Sequence, residues 1–152
     1  MSSPQTASAA DPKARQPAKD TNPAMTAARS SWRCVQAKDR EAWLDLMADD
    51  IVIEDPIGIA PTNPDGQGIR GKTAVAAFWD GSIAKMDVRI ETHESFAAGS
   101  ESAHRMTLTT TFPNGGGMQV DGIFTYRVDE RGKLTNLRGY WSLDEAEIRP
   151  PR

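Results

Sequence analysis

The sequence predicts an α+β domain in which three helices precede a series of hairpin-linked antiparallel strands. Apolar residues recur at helical spacing in three segments between residues 25 and 84. After Met86 the pattern changes to alternating apolar and polar residues, interrupted by the turn sequences NGGG and DERG. The chain has 152 residues, of which 38% are hydrophobic and 26% charged, as expected for one globular domain.

The three helices are defined by their apolar faces. The first is expected over residues 25–37. Asp39 suits the N-cap of the second, which should run through Met47 and end at residues 48–50. The third is expected over residues 72–84. The apolar positions of the three faces are Ala28, Trp32 and Val35; Ala42, Trp43, Leu46 and Met47; and Val75, Phe78, Trp79 and Ile83.

The stretch ADDIVIEDPIG contains the first predicted strand, IVIED, and the sharpest functional signal. Alternating strand residues point to opposite sides, so Ile51, Ile53 and Asp55 share one face. Pro56 favours an extended backbone at Asp55. On a core face, desolvation would raise the pKa of this carboxyl toward that of a useful general base. The alternative is an acid that caps the turn before Pro56 and Gly58, and periodicity leaves both interpretations open.

Four longer strands are expected in the second half, within DVRIETHESF, HRMTLTTTF, MQVDGIFTYRV and KLTNLRGYW. In the second of them, Met106, Leu108 and Phe112 fall on one face. His93 and His104 lie on these strands without a His or Cys at metal-ligand spacing. We therefore expect exposed or hydrogen-bonded strand residues there, and no metal site.

Composition excludes several classes of function. The net charge of −3 gives no basic patch for nucleic acid. The single Cys34 excludes an internal disulfide framework and a cysteine zinc site, and is expected to pack in the first helix. No run approaches the roughly 18 apolar residues of a membrane span. The segment GQGIRG spells the dinucleotide fingerprint, but APTNPD precedes it where a strand is required, so a loop is favoured over a nucleotide site.

The N-terminal segment differs from the rest of the chain. Residues 1–23 hold few apolar side chains, which predicts a disordered tail before a domain over residues 24–152. The segment also lacks the apolar region of a secretory signal. These features predict a cytoplasmic protein, and no pattern calls for a cofactor.

Three segments resemble the bacterial Δ5-3-ketosteroid isomerases, which belong to the nuclear transport factor 2-like, or SnoaL-like, superfamily. They are LMADDIVIEDPIG, RGKTAVAAFW and FTYRVDERGKLTNLRGYWSLDEAEIRP. The pattern, and SSWRCVQAKDREAW especially, is most similar to the mycobacterial ketosteroid isomerase-like group. The resemblance implies a cone-shaped fold, with a curved antiparallel sheet and three helices around a deep apolar pocket. It also implies a homodimer formed through the sheet.

The resemblance assigns roles to two residues. It implies that Asp55 is the base that moves a proton between two steroid carbons and that Trp141 lines the pocket. In the family, an oxyanion hole made of a Tyr and a protonated Asp assists such a base. Those two donors fall at Ser31 and Phe124 here, and two supporting tyrosines fall at Met47 and Trp79. The segment after Pro56 is also longer than in the isomerases, by residues that include TNPDGQG, which should change the rim of the pocket.

The loss of these donors limits the expected chemistry. Removing one oxyanion donor typically costs about 10²–10³ in rate. Tyr126 is a candidate substitute because it lies two positions after Phe124, on the same strand face. Asp121 faces the other way unless a bulge at Gly122 resets the register. Ser31 remains a weaker donor that would act through a water.

Four functions follow as alternatives. The leading one is a steroid isomerase-like protein with Asp55 and Tyr126 as catalytic residues. The others are a catalytically silent steroid binder, a different lyase, hydrolase or cyclase on the same fold, and a protein-interaction module whose pocket is filled by its own side chains. The residues expected to contact the hydrophobic ligand are Ser31, Trp32, Phe78, Trp79, Phe124 and Trp141.

Overall fold

The structure is a computed structural model that describes residues 18–152. Most of the predicted tail, residues 1–17, lies outside the described residues. The chain enters the domain through a 3₁₀ turn at Lys19–Thr21, and helix α1 spans Pro23–Ala37. The domain boundary at residue 24 therefore falls inside the first turn of α1, and the tail itself stays a prediction.

Helix α1 begins two residues before the predicted start because Asn22 caps it. The Asn22 side-chain oxygen accepts hydrogen bonds from the backbone N–H groups of Ala24 at 2.8 Å and Met25 at 3.3 Å. Such a cap satisfies amide groups that have no partner inside the helix. The helix ends at Ala37, and its C-cap residue Lys38 has a left-handed φ of 60°.

Helix α2 is shorter than predicted. It spans Arg40–Asp45, and the Asp39 side chain accepts a hydrogen bond from the Ala42 N–H, which confirms the predicted N-cap. The prediction that the helix runs through Met47 is wrong. The Leu46 carbonyl instead accepts a hydrogen bond from Leu134 N at 2.8 Å, so the chain has already joined the sheet.

Helix α3 spans Lys72–Gly81, three residues short of the predicted end, and a 3₁₀ turn at Ile83–Lys85 follows it. Gly71 stands at its N-cap with a φ of 88°, a left-handed value that glycine adopts at little cost. The segment GQGIRG begins in a loop, as predicted, but its Ile69 and Arg70 form a two-residue strand before α3, which the loop prediction missed.

Seven strands form one sheet in the described part of the chain. Their order is β2-β1-β6-β5-β4-β3, and β7 pairs with β5. Five of the pairings are antiparallel, but β1 and β6 run parallel. The sequence did not predict this parallel pair, because the two strands are distant in the chain. The strands are β1 Met47–Glu54, β2 Ile69–Arg70, β3 Asp87–Ala98, β4 Glu101–Thr111, β5 Gly117–Val128, β6 Leu134–Tyr140 and β7 Glu147–Arg149.

The core lies between the helices and the inner face of this curled sheet. Helix α1 packs on β3, β4 and β5, and helix α3 packs on β1. The predicted α+β class with three helices and a curved sheet is confirmed. Cys34 is buried in α1, as expected. Within the described residues, no helix combines the length and the apolar character needed to cross a membrane. The largest side chains with less than 2% exposure include Phe124, Met25, Ile51, Met106 and Leu134.

Candidate functional site

The two adjacent acids at the end of β1 face opposite sides of the sheet. Ile51 is 0% and Ile53 is 3% exposed, so the face that the sequence predicted these residues to share with Asp55 is the core face. Glu54 lies on the other face, where its carboxylate is 3.2 Å from Arg138 Nε. The chain therefore places one acid in an ion pair and the next one in the interior.

The Asp55 carboxylate has one hydrogen-bond partner among the described residues. Trp141 Nε1 donates to its Oδ1 at 2.6 Å. Although the residue keeps intermediate exposure, protein surrounds its carboxylate, and burial raises its pKa while the Trp141 hydrogen bond opposes the rise. The Thr62 hydroxyl bonds the Asp55 backbone oxygen, not its side chain. The Asp55 side chain thus caps no turn in the described residues, and the base interpretation fits its surroundings better.

Gly139 on β6 leaves the space in which three site residues meet. A Cβ atom added there would lie 2.6 Å from Asp55 Oδ1 and 3.0 Å from both the Phe124 ring and Trp141 Nε1. Phe124 is 1% exposed. A hydrocarbon ring therefore borders the carboxylate, at the position where the resemblance places a protonated acid. Sequence analysis missed Gly139, although a lone glycine within a strand pattern is a known sign of close approach.

Tyr126 lies on the same inner face of β5 as Phe124, as predicted, and is 3% exposed. Its hydroxyl accepts a hydrogen bond from Trp32 Nε1 at 2.8 Å. Burial raises the pKa of Tyr126, the Trp32 hydrogen bond opposes this, and the charge of Asp55 adds to the rise. Tyr126 therefore keeps its proton at neutral pH and lies within the electrostatic reach of Asp55.

His104 is the main residue that sequence analysis left out of the site. Its ring lies 4.8 Å from that of Trp32 and 5.4 Å from that of Tyr126, edge to face in both cases. Its two nitrogens are each 2.7 Å from a serine hydroxyl, Ser95 and Ser102. Burial lowers the pKa of His104 to about 4, so it is neutral at pH 7. The expectation of a hydrogen-bonded strand histidine is confirmed. Its place on the inner face follows from its position two residues before Met106.

Two of the remaining predicted ligand residues, Ser31 and Trp79, belong to a separate packed group around Trp43. Trp43 Nε1 donates to Ser31 Oγ at 3.0 Å. The Trp43 and Trp79 rings pack at 5.0 Å, and both side chains are 2% exposed. Phe78 is half-buried against the core. In the described part of the chain, no hydrogen bond or ring contact joins this group to Asp55, so its role toward a ligand stays a prediction.

Asp121 points away from the site, as expected without a bulge. The β4–β5 register continues unbroken through Gly122, which pairs with Met106. Asp121 accepts a hydrogen bond from the Thr107 hydroxyl on the outer face. It therefore does not replace the missing donor.

Two kinds of feature could form a second functional site in residues 18–152, a metal-ligand cluster and a surface depression, and neither indicates one. No group of three or more His, Cys, Asp or Glu side chains is placed to hold a metal ion there. A surface depression of about 520 Å³ lies at the far end of β5, lined by Ser100 and residues 127–131. It is open to solvent and its lining includes none of the predicted site residues, so we do not assign it to ligand binding.

Comparisons with known proteins agree with the fold. A family model described as a SnoaL-like domain matches residues 28–137. The crystal structure of a Delta 5-3-ketosteroid isomerase from Mycobacterium sp. is 53% identical, with a TM-score of 0.82, and the match covers 84% of this chain and 99% of that one. A Mycobacterium tuberculosis protein in complex with estradiol-17beta-hemisuccinate is 53% identical over the same shares, with a TM-score of 0.81.

A third similar structure is a computationally designed 17-OHP binder. It is 50% identical, with a TM-score of 0.82, and the match again covers 84% of this chain and 99% of that one. An epoxide hydrolase from M. tuberculosis is only 20% identical, at a TM-score of 0.69 over 83% of this chain and 87% of that one, and shares the fold alone.

Proposed function

We propose, from the premise that the chain belongs to the SnoaL-like family, that it binds a flat, steroid-sized hydrophobic ligand and uses Asp55 as a general base. The single observation that carries this proposal is the Asp55 carboxylate itself. It is directed inward, its pKa is raised by burial, and its one described hydrogen bond comes from Trp141. A desolvated carboxylate with an elevated pKa is suited to proton transfer near neutral pH.

The proposed reaction moves one proton within the ligand. Asp55 removes a proton from the carbon between a ketone and a β,γ double bond, and the electrons of that C–H bond pass to the ketone oxygen as a dienolate forms. Asp55 then returns the proton to the distal carbon, which conjugates the double bond with the ketone. Tyr126 is the proposed donor to the developing oxyanion, and a donor of this kind contributes about 10²–10³ in rate.

The relatives support the ligand class. Two of them are described with steroid ligands, estradiol-17beta-hemisuccinate and 17-OHP, and a third as a ketosteroid isomerase. The exposure of the site residues is compatible with such a ligand, because Trp32, Asp55 and Trp141 keep intermediate exposure, whereas Phe124 and Tyr126 are buried. The proposed ligand-binding set therefore contains both partly exposed and buried side chains.

A silent binder is the second candidate, and Phe124 favours it. Its ring touches the space beside Asp55 where a protonated acid would otherwise donate a hydrogen bond. A ligand ketone facing a hydrocarbon ring gains no charge stabilisation there. The second candidate predicts tight steroid binding without turnover.

One assay separates the two candidates. A β,γ-unsaturated 3-ketosteroid is mixed with the wild-type protein and with Asp55→Asn, and growth of the conjugated enone absorbance is followed while affinity is measured by fluorescence titration. The isomerase proposal predicts turnover in the wild type, loss of at least about a hundredfold in the variant, and nearly equal affinities. Equal turnover in both proteins would refute the role of Asp55, and binding without turnover would establish the silent binder.

We also propose that the chain forms a homodimer through the outer face of the sheet. Ile123 and Tyr140 are cross-strand neighbours there and are 41% and 49% exposed. Adjacent exposed apolar side chains on a sheet face are typical of interaction surfaces. A cytoplasmic location remains a proposal that rests on the sequence.

A further inference from the structure

The buried hydroxyl of Tyr126 has a hydrogen-bond partner on one side. Trp32 Nε1 lies 2.8 Å away, and an indole nitrogen only donates. The hydroxyl is therefore the acceptor in this bond, and its own proton points away from the indole N–H. Because Tyr126 is 3% exposed, that proton has little access to bulk water.

None of the neighbouring polar groups accepts the proton of the Tyr126 hydroxyl. His104 lies beside the Tyr126 ring, but serine hydroxyls occupy both of its nitrogens. Asp55 Oδ1 accepts from Trp141. Among residues 18–152, no oxygen or nitrogen accepts the Tyr126 proton. A buried donor without an acceptor is unfavourable, so an acceptor supplied by a ligand would complete its bonding.

We propose that Trp32 is a positioning residue that makes the Tyr126 hydroxyl a hydrogen-bond donor only, and that the pair selects ligands with an acceptor oxygen, such as a ketone, at this end of the site. The inference rests on the proposed ligand class and extends it to the choice of functional group. A hydroxyl that accepts from an N–H is polarised and becomes a stronger donor through its own O–H. Trp32 thus acts on the ligand through Tyr126.

The test compares two steroids with the same ring skeleton, one with a ketone at carbon 3 and one with a methylene there. Affinities are measured for the wild type, Trp32→Phe, Tyr126→Phe and the double variant. The wild type should prefer the ketone about three- to tenfold, the range for one hydrogen bond. Tyr126→Phe should abolish that preference, and Trp32→Phe should lower it about two- to threefold. In the Tyr126→Phe background, the added Trp32→Phe change should have no effect on the preference.

Trp43→Phe is the matched control, because it also removes a buried indole N–H from a hydroxyl, that of Ser31. It should leave the ketone preference unchanged. An equal loss of affinity for both steroids in Trp32→Phe would show that Trp32 only packs, and would overturn the inference while the ligand class stands. Failure of the wild type to bind either steroid would overturn both.

A measurement on the wild type covers the case in which Trp32→Phe does not fold. The Trp32 indole N–H resonance should shift more with the ketone than with the methylene steroid, because a new bond at the Tyr126 proton strengthens the bond that Trp32 donates. Equal shifts with the two steroids would contradict the inference.

Discussion

At the scale of single residues, the interior position of Asp55 works against stability while it serves the proposed chemistry. Taking a carboxylate out of water disfavours its charged form. Its neighbour Glu54 lies on the opposite sheet face and pairs with Arg138, so no such conflict arises there. Two consecutive acids thus illustrate how alternation along a strand separates a reactive group from a structural one.

The first prediction concerns stability and pH. Burial raises the pKa of Asp55 in the folded protein above its ordinary value of 3.8, so the folded state holds this proton more tightly than the unfolded chain does. The resulting penalty is absent below about pH 3.8 and grows as the pH rises through the folded pKa. Asp55→Asn should therefore be more stable than the wild type at pH 7, and the gain should vanish near pH 3.5.

Urea unfolding at both pH values measures this difference. Glu54→Gln is the control on the adjacent position and should show no such gain, because it loses an ion pair. A variant Asp55→Asn that is less stable than the wild type at pH 7 would contradict the assignment of a desolvated carboxylate.

The second prediction concerns the space above Gly139. In Gly139→Ala the new methyl group overlaps Asp55 Oδ1 and contacts Phe124 and Trp141, so the carboxylate must move. A displacement of about 1 Å can cost about 10² in rate, and we expect a loss of at least tenfold in turnover. Gly81→Ala is the control, since a Cβ there meets nothing within 4 Å. Unchanged turnover in Gly139→Ala would show that the site tolerates the displacement.

At the scale of the elements, helix α1 carries Trp32 and is fixed by a residue just outside it. Asn22 caps the helix with its side-chain oxygen and donates from Nδ2 to the Gly99 carbonyl at 2.9 Å. The same side chain thus joins the start of α1 to the β3–β4 turn. This connection holds the helix in place over the sheet.

The third prediction tests this connection. Asn22→Ala should lower the free energy of unfolding by about 1–2 kcal/mol, because it removes an N-cap together with a buried hydrogen bond. Asp39→Ala, which removes a single exposed cap bond of α2 at 3.2 Å, should cost less. Thermal or urea denaturation measures both. An equal loss in the two variants would mean that the Gly99 bond contributes nothing.

Local patterns allowed most elements to be predicted, and long-range contacts account for what was missed. Alternation identified the five longer strands but not the short β2 and β7, and the Asp39 cap marked the start of α2. The parallel β1–β6 pair and the early end of α2 depend on Leu134, far along the chain. Likewise, the bonds Trp141–Asp55 and Trp32–Tyr126 join residues 86 and 94 positions apart, which periodicity does not reveal.

At the scale of the whole molecule, the fourth prediction concerns assembly. Ile123 and Tyr140 present apolar surface on the outer sheet face, opposite the site. If two copies associate there, Ile123→Glu should convert a dimer into a monomer, because a buried unpaired charge is costly. Sedimentation equilibrium at micromolar concentration measures this. A wild-type protein that is monomeric under these conditions would refute the proposed dimer.

The proposed function depends on Asp55 acting as a base with an elevated pKa. The most direct test is the pH dependence of kcat/KM for isomerisation of a β,γ-unsaturated 3-ketosteroid, which reports the pKa of the essential base in the free protein. We predict that kcat/KM falls at acidic pH with a midpoint above 3.8, the ordinary value for an aspartic acid. A rate that stays constant down to pH 4, or a fall whose midpoint is unchanged in Asp55→Asn, would contradict the account.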